Sequence, residues 1–98
     1  IDIKGQPGSP IKAVMGGVIT TITYIRGYGT TIIIDNGGGF YTVYSHVTNI
    51  QTSVDNQVRS GDIIAYMGDS GSVNGAKLHF EIWGKGQKLN PEKWLLKK

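Results

Sequence analysis

The sequence predicts an all-β domain, and three observations carry that prediction. Residues 18–25 (VITTITYI) and 30–34 (TTIII) are rich in the β-branched and aromatic side chains that strands favour. Fifteen glycines are spread between apolar runs, a pattern that predicts many tight turns and short strands. No long amphipathic helical pattern is present. At 98 residues the chain has room for one small domain with one core.

The turns follow in order along the chain. Residues 1–3 already have the pattern of a strand, and residues 26–29 (RGYG) form a hairpin loop between the two β-branched segments. Residues 35–39 (DNGGG) predict a second turn, which leads into a strand over residues 40–47 (FYTVYSHV).

The second half of the chain continues this pattern. A turn at residues 60–62 precedes a strand over 63–67, and the last strand, 78–83, is closed by the turn 84–86. A short helical turn is predicted after Asn90, because Asn is a favoured N-cap and Pro a favoured first helical residue.

Two segments of the chain show a weak internal sequence similarity, which we call the internal echo. Residues 8–16 (GSPIKAVMG) resemble residues 61–68 (GDIIAYMG), with one residue fewer in the second copy. Two explanations stay open at this point. Either two turn-strand-turn units converged on a similar pattern, or a sheet motif was duplicated and its two hairpins form opposite ends of one sandwich.

Composition narrows the class of protein. Hydrophobic residues make up 39% and charged residues 17%, as in globular domains. The net charge of +3 comes largely from a basic tail, formed by Lys88, Lys93, Lys97 and Lys98. No basic stripe interleaved with aromatics is present, so nucleic acid is not an expected partner. Two explanations of the basic tail stay open, simple solvation or attraction to an anionic polymer or an acidic partner, and solvation is the more common case.

Two classes of segment are absent from the sequence. There are no cysteines, which excludes disulfides and thiolate zinc sites. The sequence also has no signal peptide and no apolar run long enough to span a membrane.

The segment 77–83 (KLHFEIW) holds the most informative side chains. Alternation in a strand puts His79, Glu81 and Trp83 on one face, with Phe80 and Ile82 on the other. A His-x-His pair at this point would aim two imidazoles into one groove. Here the first of the pair is replaced by a cation, Lys77.

Two further residues are candidates for chemistry. His46 ends the tyrosine-rich strand, and it and His79 are the two histidines of the chain. Asp2 stands between two isoleucines, either as a strand residue that points to solvent or as a carboxylate with a partner. A lone histidine is more often a hydrogen-bonded or surface residue than a ligand, so both interpretations stay open.

The order and spacing of these motifs resemble the lysostaphin-type (M23, LytM) peptidase domain over nearly the whole chain. The matching segments are 2–3, 8–13, 16–19, 27–29, 32–37, 41–46, 58–65, 68–71 and 78–81. The resemblance implies an antiparallel β-sandwich of the duplicated-hybrid-motif type. Lipoyl-type domains share that sandwich, but this sequence lacks a lysine between small acidic residues at a hairpin tip.

The resemblance also implies roles for individual residues. Active family members hold zinc with a histidine, an aspartate four residues later and the second histidine of His-x-His. Asp2 and His79 match the latter two ligands, and His46 matches a histidine that orients water or steadies the oxyanion. Lys77 replaces the remaining catalytic histidine.

The first ligand would fall before Ile1. We therefore expect a single domain over residues 1–98, the C-terminal fragment of a longer protein, without the first metal-ligand segment.

The departures from the family pattern weaken the expected metal site. A catalytic zinc takes three protein ligands and one open position, and two ligands hold it loosely. The ammonium of Lys77 repels a divalent cation, and lysine acts as a base only when its pKa is strongly lowered. We therefore expect a vacant metal position and no cofactor, with zinc only if the domain is an active peptidase.

Three functions follow as hypotheses. The first is a non-catalytic domain of the murein hydrolase activator branch, which binds and activates a cell-wall amidase through its groove. Tyr28, Tyr44 and Trp83 are then the candidate partner-binding anchors, although ordinary packing explains each equally well. The alternatives are a zinc metalloendopeptidase that cleaves peptidoglycan cross-links and a peptidoglycan-binding module. All three imply the bacterial cell envelope, either periplasmic or extracellular.

Overall fold

The computed structural model describes residues 1–68 and 76–90. Every regular element in these ranges is a strand, which confirms the all-β prediction. In the described part of the chain, no helix is long and apolar enough to cross a membrane. The predicted helical turn after Asn90 and most of the 68–71 motif lie outside the described residues.

Within residues 1–68 and 76–90, ten strands make up two sheets. The strands are β1 Asp2–Lys4, β2 Pro10–Lys12, β3 Gly17–Ile25, β4 Gly29–Gly37, β5 Phe40–Ser45, β6 Val47–Thr48, β7 Gln57–Val58, β8 Ile63–Met67, β9 Lys77–Gly84 and β10 Gln87–Leu89. The large sheet has the order β1-β9-β5-β4-β3-β7, and β10 also pairs with β9. The small sheet has the order β2-β8-β6, and every pair in both sheets is antiparallel.

One hydrophobic cluster draws side chains from both sheets. Its largest fully buried members are Tyr44 and Phe80, whose ring centroids lie 5.3 Å apart. Ile32 and Ile34 of β4 are fully buried beside them, and Ile64 enters from the small sheet. Full burial of each such side chain stabilises the fold by about 1.5–3 kcal/mol, so this cluster fixes the register of the strands above it.

The two segments with the internal echo are neighbours in the small sheet. β2 pairs with β8 in the register Pro10 to Tyr66 and Ile11 to Ala65. Backbone hydrogen bonds extend the pairing, since Ala13 N donates to Asp62 O at 2.9 Å. The expectation that duplicated units would form opposite ends of the sandwich is therefore wrong, because the two segments lie side by side.

The predicted strand over residues 40–47 is broken at His46. β5 ends at Ser45 in the large sheet, and β6 begins at Val47 in the small sheet. His46 between them has φ 64°, a left-handed conformation that a continuous strand does not contain. This single residue carries the chain from one sheet to the other and leaves its own side chain buried at 3% exposure.

The hairpin between β9 and β10 was not predicted as a strand pair. Lys85 and Gly86 both have positive φ, at 53° and 80°, which is the geometry of a type I′ turn. The chain therefore folds back and pairs Leu89 with Ile82. β1 and β10 both lie along the edge of β9 that faces away from β5.

Candidate functional site

Strand register brings Asp2 and His79 together. β1 pairs with β9 so that Asp2 lies opposite His79 and Lys4 lies opposite Lys77. Phe80 is buried in the core, as the predicted alternation requires, so its neighbour His79 projects from the other face of β9. The geometry of the sheet thus collects one aspartate, one histidine and one lysine from the two chain segments that the sequence singled out.

His79 lies between two carboxylates. Its Nδ1 is 2.6 Å from Asp2 Oδ1, and its Nε2 is 2.6 Å from Glu81 Oε2. An ionised carboxylate only accepts hydrogen bonds, so both contacts are satisfied when the ring carries a proton on each nitrogen. The other oxygen of Glu81 accepts a hydrogen bond from Trp83 Nε1 at 2.9 Å.

Lysines close both ends of this arrangement. Lys77 Nζ donates to Asp2 Oδ2 at 3.3 Å, and Lys88 Nζ lies 3.4 Å from Glu81 Oε2. The five side chains form a line in which Asp2 and Glu81 alternate with Lys77, His79 and Lys88, and we call this line the carboxylate–histidine network. Its Glu81 end is buried, with 11% of the side chain exposed, whereas 48% of the Asp2 side chain is exposed.

The network lowers the pKa of both carboxyls. The hydrogen bond with His79 is the main cause for Asp2, and Lys77 lowers the pKa of Asp2 further. Burial raises the pKa of the Glu81 carboxyl, but hydrogen bonds with His79 and Trp83 and the charge of Lys88 outweigh it, so the pKa lies below its ordinary value. Both groups are therefore held in their ionised form.

Tyr28 connects the two histidines. Its backbone carbonyl accepts a hydrogen bond from His46 N at 2.9 Å, and its ring centroid lies 5.1 Å from that of His79. The Tyr28 side chain is 42% exposed, so one ring face is available to solvent. His46 is brought to the end of β5 beside the network, because the preceding residue, Ser45, lies opposite His79 in the β5–β9 pair.

The structure corrects one predicted partner contact. Tyr44 has no exposed surface, and its hydroxyl accepts a hydrogen bond from Val14 N at 3.0 Å. The prediction that Tyr44 anchors a partner is wrong, because this side chain fills the space between the two sheets. Trp83, by contrast, is 37% exposed and lies on the open face of β9.

An open groove runs across the outer face of the large sheet beside the network. Two adjoining cavities of about 500 and 360 Å³ share Ile33, Val43 and Trp83. We call this surface the outer-face groove; its other lining residues are Thr20, Thr21, Ile25, Tyr28, Tyr41, Ser45, Glu81, Gly86 and Lys88.

Sequence reasoning expected a groove with Tyr28 and Trp83 beside it, but it did not identify the apolar floor that Ile33 and Val43 provide. The signal was the unbroken run of isoleucines at residues 32–34, since a strand with apolar side chains on both faces is typical of a sheet that is covered on both sides.

The arrangement does not fit a catalytic zinc. Two ligands of a tetrahedral zinc, each at about 2.0 Å, lie about 3.3 Å apart. Asp2 Oδ1 and His79 Nδ1 are 2.6 Å apart and share a hydrogen bond, while Lys77 places a positive charge on the other Asp2 oxygen. Among the residues that the structure describes, no three histidine or carboxylate side chains are grouped to hold a metal.

Solved structures of lysostaphin-type peptidase domains share this antiparallel two-sheet architecture. The sequence profile of peptidase family M23 matches residues 1–91. This chain therefore belongs to peptidase family M23. The catalytic domain of the antimicrobial peptidase lysostaphin from Staphylococcus simulans superposes with a TM-score of 0.87 at 26% identity, over 97% of this chain and 76% of that one.

The relatives of this chain include proteins named as an activator, a lipoprotein and a peptidase. The murein hydrolase activator EnvC of Escherichia coli is 34% identical over 95% of this chain. The outer membrane antigenic lipoprotein B of Haemophilus influenzae is 40% identical over 97%. The DD-carboxypeptidase/endopeptidase Mpg of Neisseria meningitidis is 35% identical over 93%. The chain spans only 22%, 24% and 21% of the length of these relatives, respectively.

Proposed function

We propose that this domain is a degenerate, non-catalytic M23 domain that regulates peptidoglycan hydrolysis by binding and activating a cell-wall amidase. It acts in the bacterial cell envelope, where peptidoglycan and the amidase that hydrolyses it meet. The observation that carries the proposal is the contact between Asp2 and His79, whose oxygen and nitrogen are 2.6 Å apart.

The charges around that contact support the proposal. Lys77 stands two residues before His79, where the family has a catalytic histidine, and its ammonium pairs with Asp2 at 3.3 Å. A cation supplied by the chain itself thus neutralises the carboxylate that a metal would otherwise neutralise. An ammonium with three donors and no acceptor cannot take a proton from water while it remains charged.

The outer-face groove supports the binding part of the proposal. It is lined mainly by apolar side chains, and Trp83 and Tyr28 remain exposed on it. Glu81 holds the Trp83 indole by a 2.9 Å hydrogen bond, so the ring is oriented before a partner arrives. Aromatic side chains that are fixed in advance lose little entropy on binding and are favoured as hot spots.

The relatives named as murein hydrolase activators also support it. EnvC carries that name and matches this chain over 95% of its length. A peptidase name at similar identity, that of Mpg, favours the second candidate, a zinc metalloendopeptidase that cleaves peptidoglycan cross-links. The two candidates differ at Lys77, since only the second needs this position to serve catalysis.

The test measures release of dye from labelled peptidoglycan by a cell-wall amidase, with and without this domain. We expect the domain alone to release none and to raise the amidase rate. Trp83→Ala should reduce the stimulation at least tenfold, whereas Val54→Ala, at an exposed apolar residue outside the groove, should not.

Two other results would favour the alternatives. Release of dye by the domain alone, abolished by a chelator, would replace the activator proposal with the peptidase. Sedimentation of the domain with peptidoglycan, without any effect on the amidase, would favour a peptidoglycan-binding module.

A further inference from the structure

The outer edge of β3 is uncovered over most of its length. β3 pairs with β4 along one side, but on its other side it pairs with β7 only at Gly17 and Val18. The backbone of Ile19 is covered by the loop between β6 and β7, because Asp55 N in that loop donates a hydrogen bond to the Ile19 carbonyl at 2.7 Å. In the described part of the chain no strand lies beside residues 20–25, a segment that we call the β3 edge.

The β3 edge has little of the usual protection of an edge strand: its one irregularity is a register shift between Ile19 and Thr21, and residues 21–25 continue in regular register. Its sequence, TTITYI, contains no charge, no proline and no glycine. Tyr24 is 65% exposed and Ile25 is 37% exposed. Proteins normally block such edges with lysine, proline or bulges, because unpaired backbone groups on a flat strand attract another strand. Six residues offer about 20 Å of unpaired backbone.

We propose that the β3 edge is an interface at which two copies of this chain pair as antiparallel strands. The inference does not rest on the proposed function: it uses no residue of the carboxylate–histidine network, and it needs no ligand in the outer-face groove, although Thr20, Thr21 and Ile25 also line that groove. A two-fold antiparallel pair is centred on one residue that faces its own copy. In the register that we propose, this residue is Thr23.

Side chains match across the pair in this register. On the core side of the sheet, Tyr24 faces Ile22 of the second copy, and Ile22 already packs against the hydrophobic core. On the groove side, Thr21 faces Ile25 of the second copy. Pairs of aromatic and β-branched residues stabilise adjacent strands, and the exposed Tyr24 ring would cover an otherwise open end of the core.

Charge complementarity favours a second copy as the occupant. Arg26 follows the edge and comes opposite Thr20 of the second copy. The carbonyl of the preceding residue, Ile19, accepts a hydrogen bond from the backbone N–H of Asp55, so each end of the pair brings Arg26 of one copy near the acidic residue Asp55 of the other. The uncharged centre adds no repulsion between two copies that each carry a net charge of +3.

The paired sheet has a definite geometry. Residues of equal parity lie on the same face in this register, so the outer-face grooves of both copies open on the same side. The paired segment is short, and stable interfaces bury about 1,200–2,000 Å². We therefore expect a weak, concentration-dependent dimer.

A single cysteine tests the register. The chain has no native cysteine, so Thr23→Cys and Thr21→Cys each introduce one thiol on the same face of β3. Facing residues of an antiparallel pair have Cα atoms about 4.5–5.5 Å apart, which suits a disulfide. We expect mild oxidation to cross-link Thr23→Cys at least tenfold faster than Thr21→Cys. Equal rates, or faster cross-linking of Thr21→Cys, would overturn the proposal.

Analytical ultracentrifugation gives an independent test without any cross-link. Thr23→Lys places like charges opposite each other at the centre of the pair, and Gln6→Lys adds the same charge on the exposed β1–β2 connection. We expect only Thr23→Lys to raise the dimer dissociation constant, by at least tenfold. Wild-type chain that remains monomeric up to about 1 mM would overturn the proposal. Circular dichroism checks that each variant is folded.

Discussion

His79 is the central residue of the carboxylate–histidine network. Both of its ring nitrogens contact carboxylates at 2.6 Å, and the outer oxygens of those carboxylates meet Lys77 and Trp83. Burial of a carboxylate such as Glu81 is costly unless its oxygens are paired. The network meets that requirement for Glu81, because His79, Trp83 and Lys88 contact its two oxygens.

The decrease of the unfolding free energy at acidic pH, which we call the acid limb, should depend on Glu81. Because its pKa is lowered on folding, Glu81 contributes stability that is present above its ordinary value of 4.5 and is lost as pH falls through the folded value. We expect Glu81→Gln to flatten the dependence of the unfolding free energy on pH below about pH 5, where the wild type loses this contribution. Chemical denaturation at each pH measures this.

Lys4→Gln serves as the control for Glu81→Gln, since it changes one charge on the exposed strand β1. An acid limb that is equally steep in Glu81→Gln and in the wild type would show that Glu81 does not carry the linkage.

Tyr44 should produce the opposite dependence at alkaline pH. Burial raises the pKa of its hydroxyl above the ordinary value of 10.0, despite the backbone N–H of Val14. A raised pKa gives stability that is full below 10 and is lost as pH rises beyond it. We expect Tyr44→Phe to lower the free energy of unfolding at pH 7 by about 1 kcal/mol, because Val14 N loses its acceptor. Above pH 10, the unfolding free energy of this variant should fall less steeply with pH than that of the wild type.

Tyr24→Phe is the matched control for Tyr44→Phe, since its hydroxyl belongs to a ring that is 65% exposed. The same loss of stability in both variants would contradict the role given to burial.

At the scale of elements, the sequence predicts strands well where side-chain chemistry decides them. The β-branched runs of β3 and the apolar run of β8 lie where they were expected. The break at His46 was not predictable, because its cause is the passage between two sheets rather than any local preference. β10 was missed because its residues, Gln87 to Leu89, have no β-branched member and pair only through the turn before them.

The sequence predicted part of the candidate site: the side chains that share one face of β9, but not their partners on other strands. Alternation along residues 77–83 correctly put His79, Glu81 and Trp83 on one face. The partners of Asp2 came from pairing between strands 75 residues apart, which no local pattern encodes. Tyr44 was misjudged, because a tyrosine in an alternating strand faces either the core or the groove, and the choice depends on the packing of both sheets.

Two glycines at strand ends should respond differently to alanine. A Cβ on Gly17 would lie 2.2 Å from Asp35 O, a backbone atom of the paired strand that cannot move aside cheaply. A Cβ on Gly86 meets nothing within 4 Å, but φ is +80°. We expect Gly17→Ala to cost about 3 kcal/mol and Gly86→Ala about 1 kcal/mol, measured by urea denaturation. The reverse order would contradict the register of β3 on β4.

At the scale of the whole molecule, the two faces of the large sheet have different roles: one packs in the core and the other forms the outer-face groove. Strands β4, β5 and β9 form the floor of the outer-face groove, and their other faces supply Ile32, Ile34, Tyr44 and Phe80 to the core. The strands that carry the core on one face therefore carry the outer-face groove on the other. Substitutions on the groove side, such as Trp83→Ala, should change binding with little effect on folding.

Zinc should not stabilise this domain as it stands. A ligand that binds only the folded state raises stability by about 2.7 kcal/mol at a concentration one hundred times its dissociation constant. Because Asp2 and His79 share a hydrogen bond and Lys77 repels a divalent cation, we expect the melting temperature to be unchanged by zinc or by a chelator. Differential scanning calorimetry with zinc and with chelator measures this directly.

Lys77→His is the informative comparison for zinc. It removes the ammonium and adds an imidazole on the same face of β9 as His79, so zinc should raise its melting temperature by several degrees. Lys77→Gln removes the charge without adding a ligand, and it should respond less than Lys77→His. A rise of several degrees in the wild type would mean that Lys77 moves away from Asp2 when zinc binds, and the domain would then have to be assayed as a peptidase.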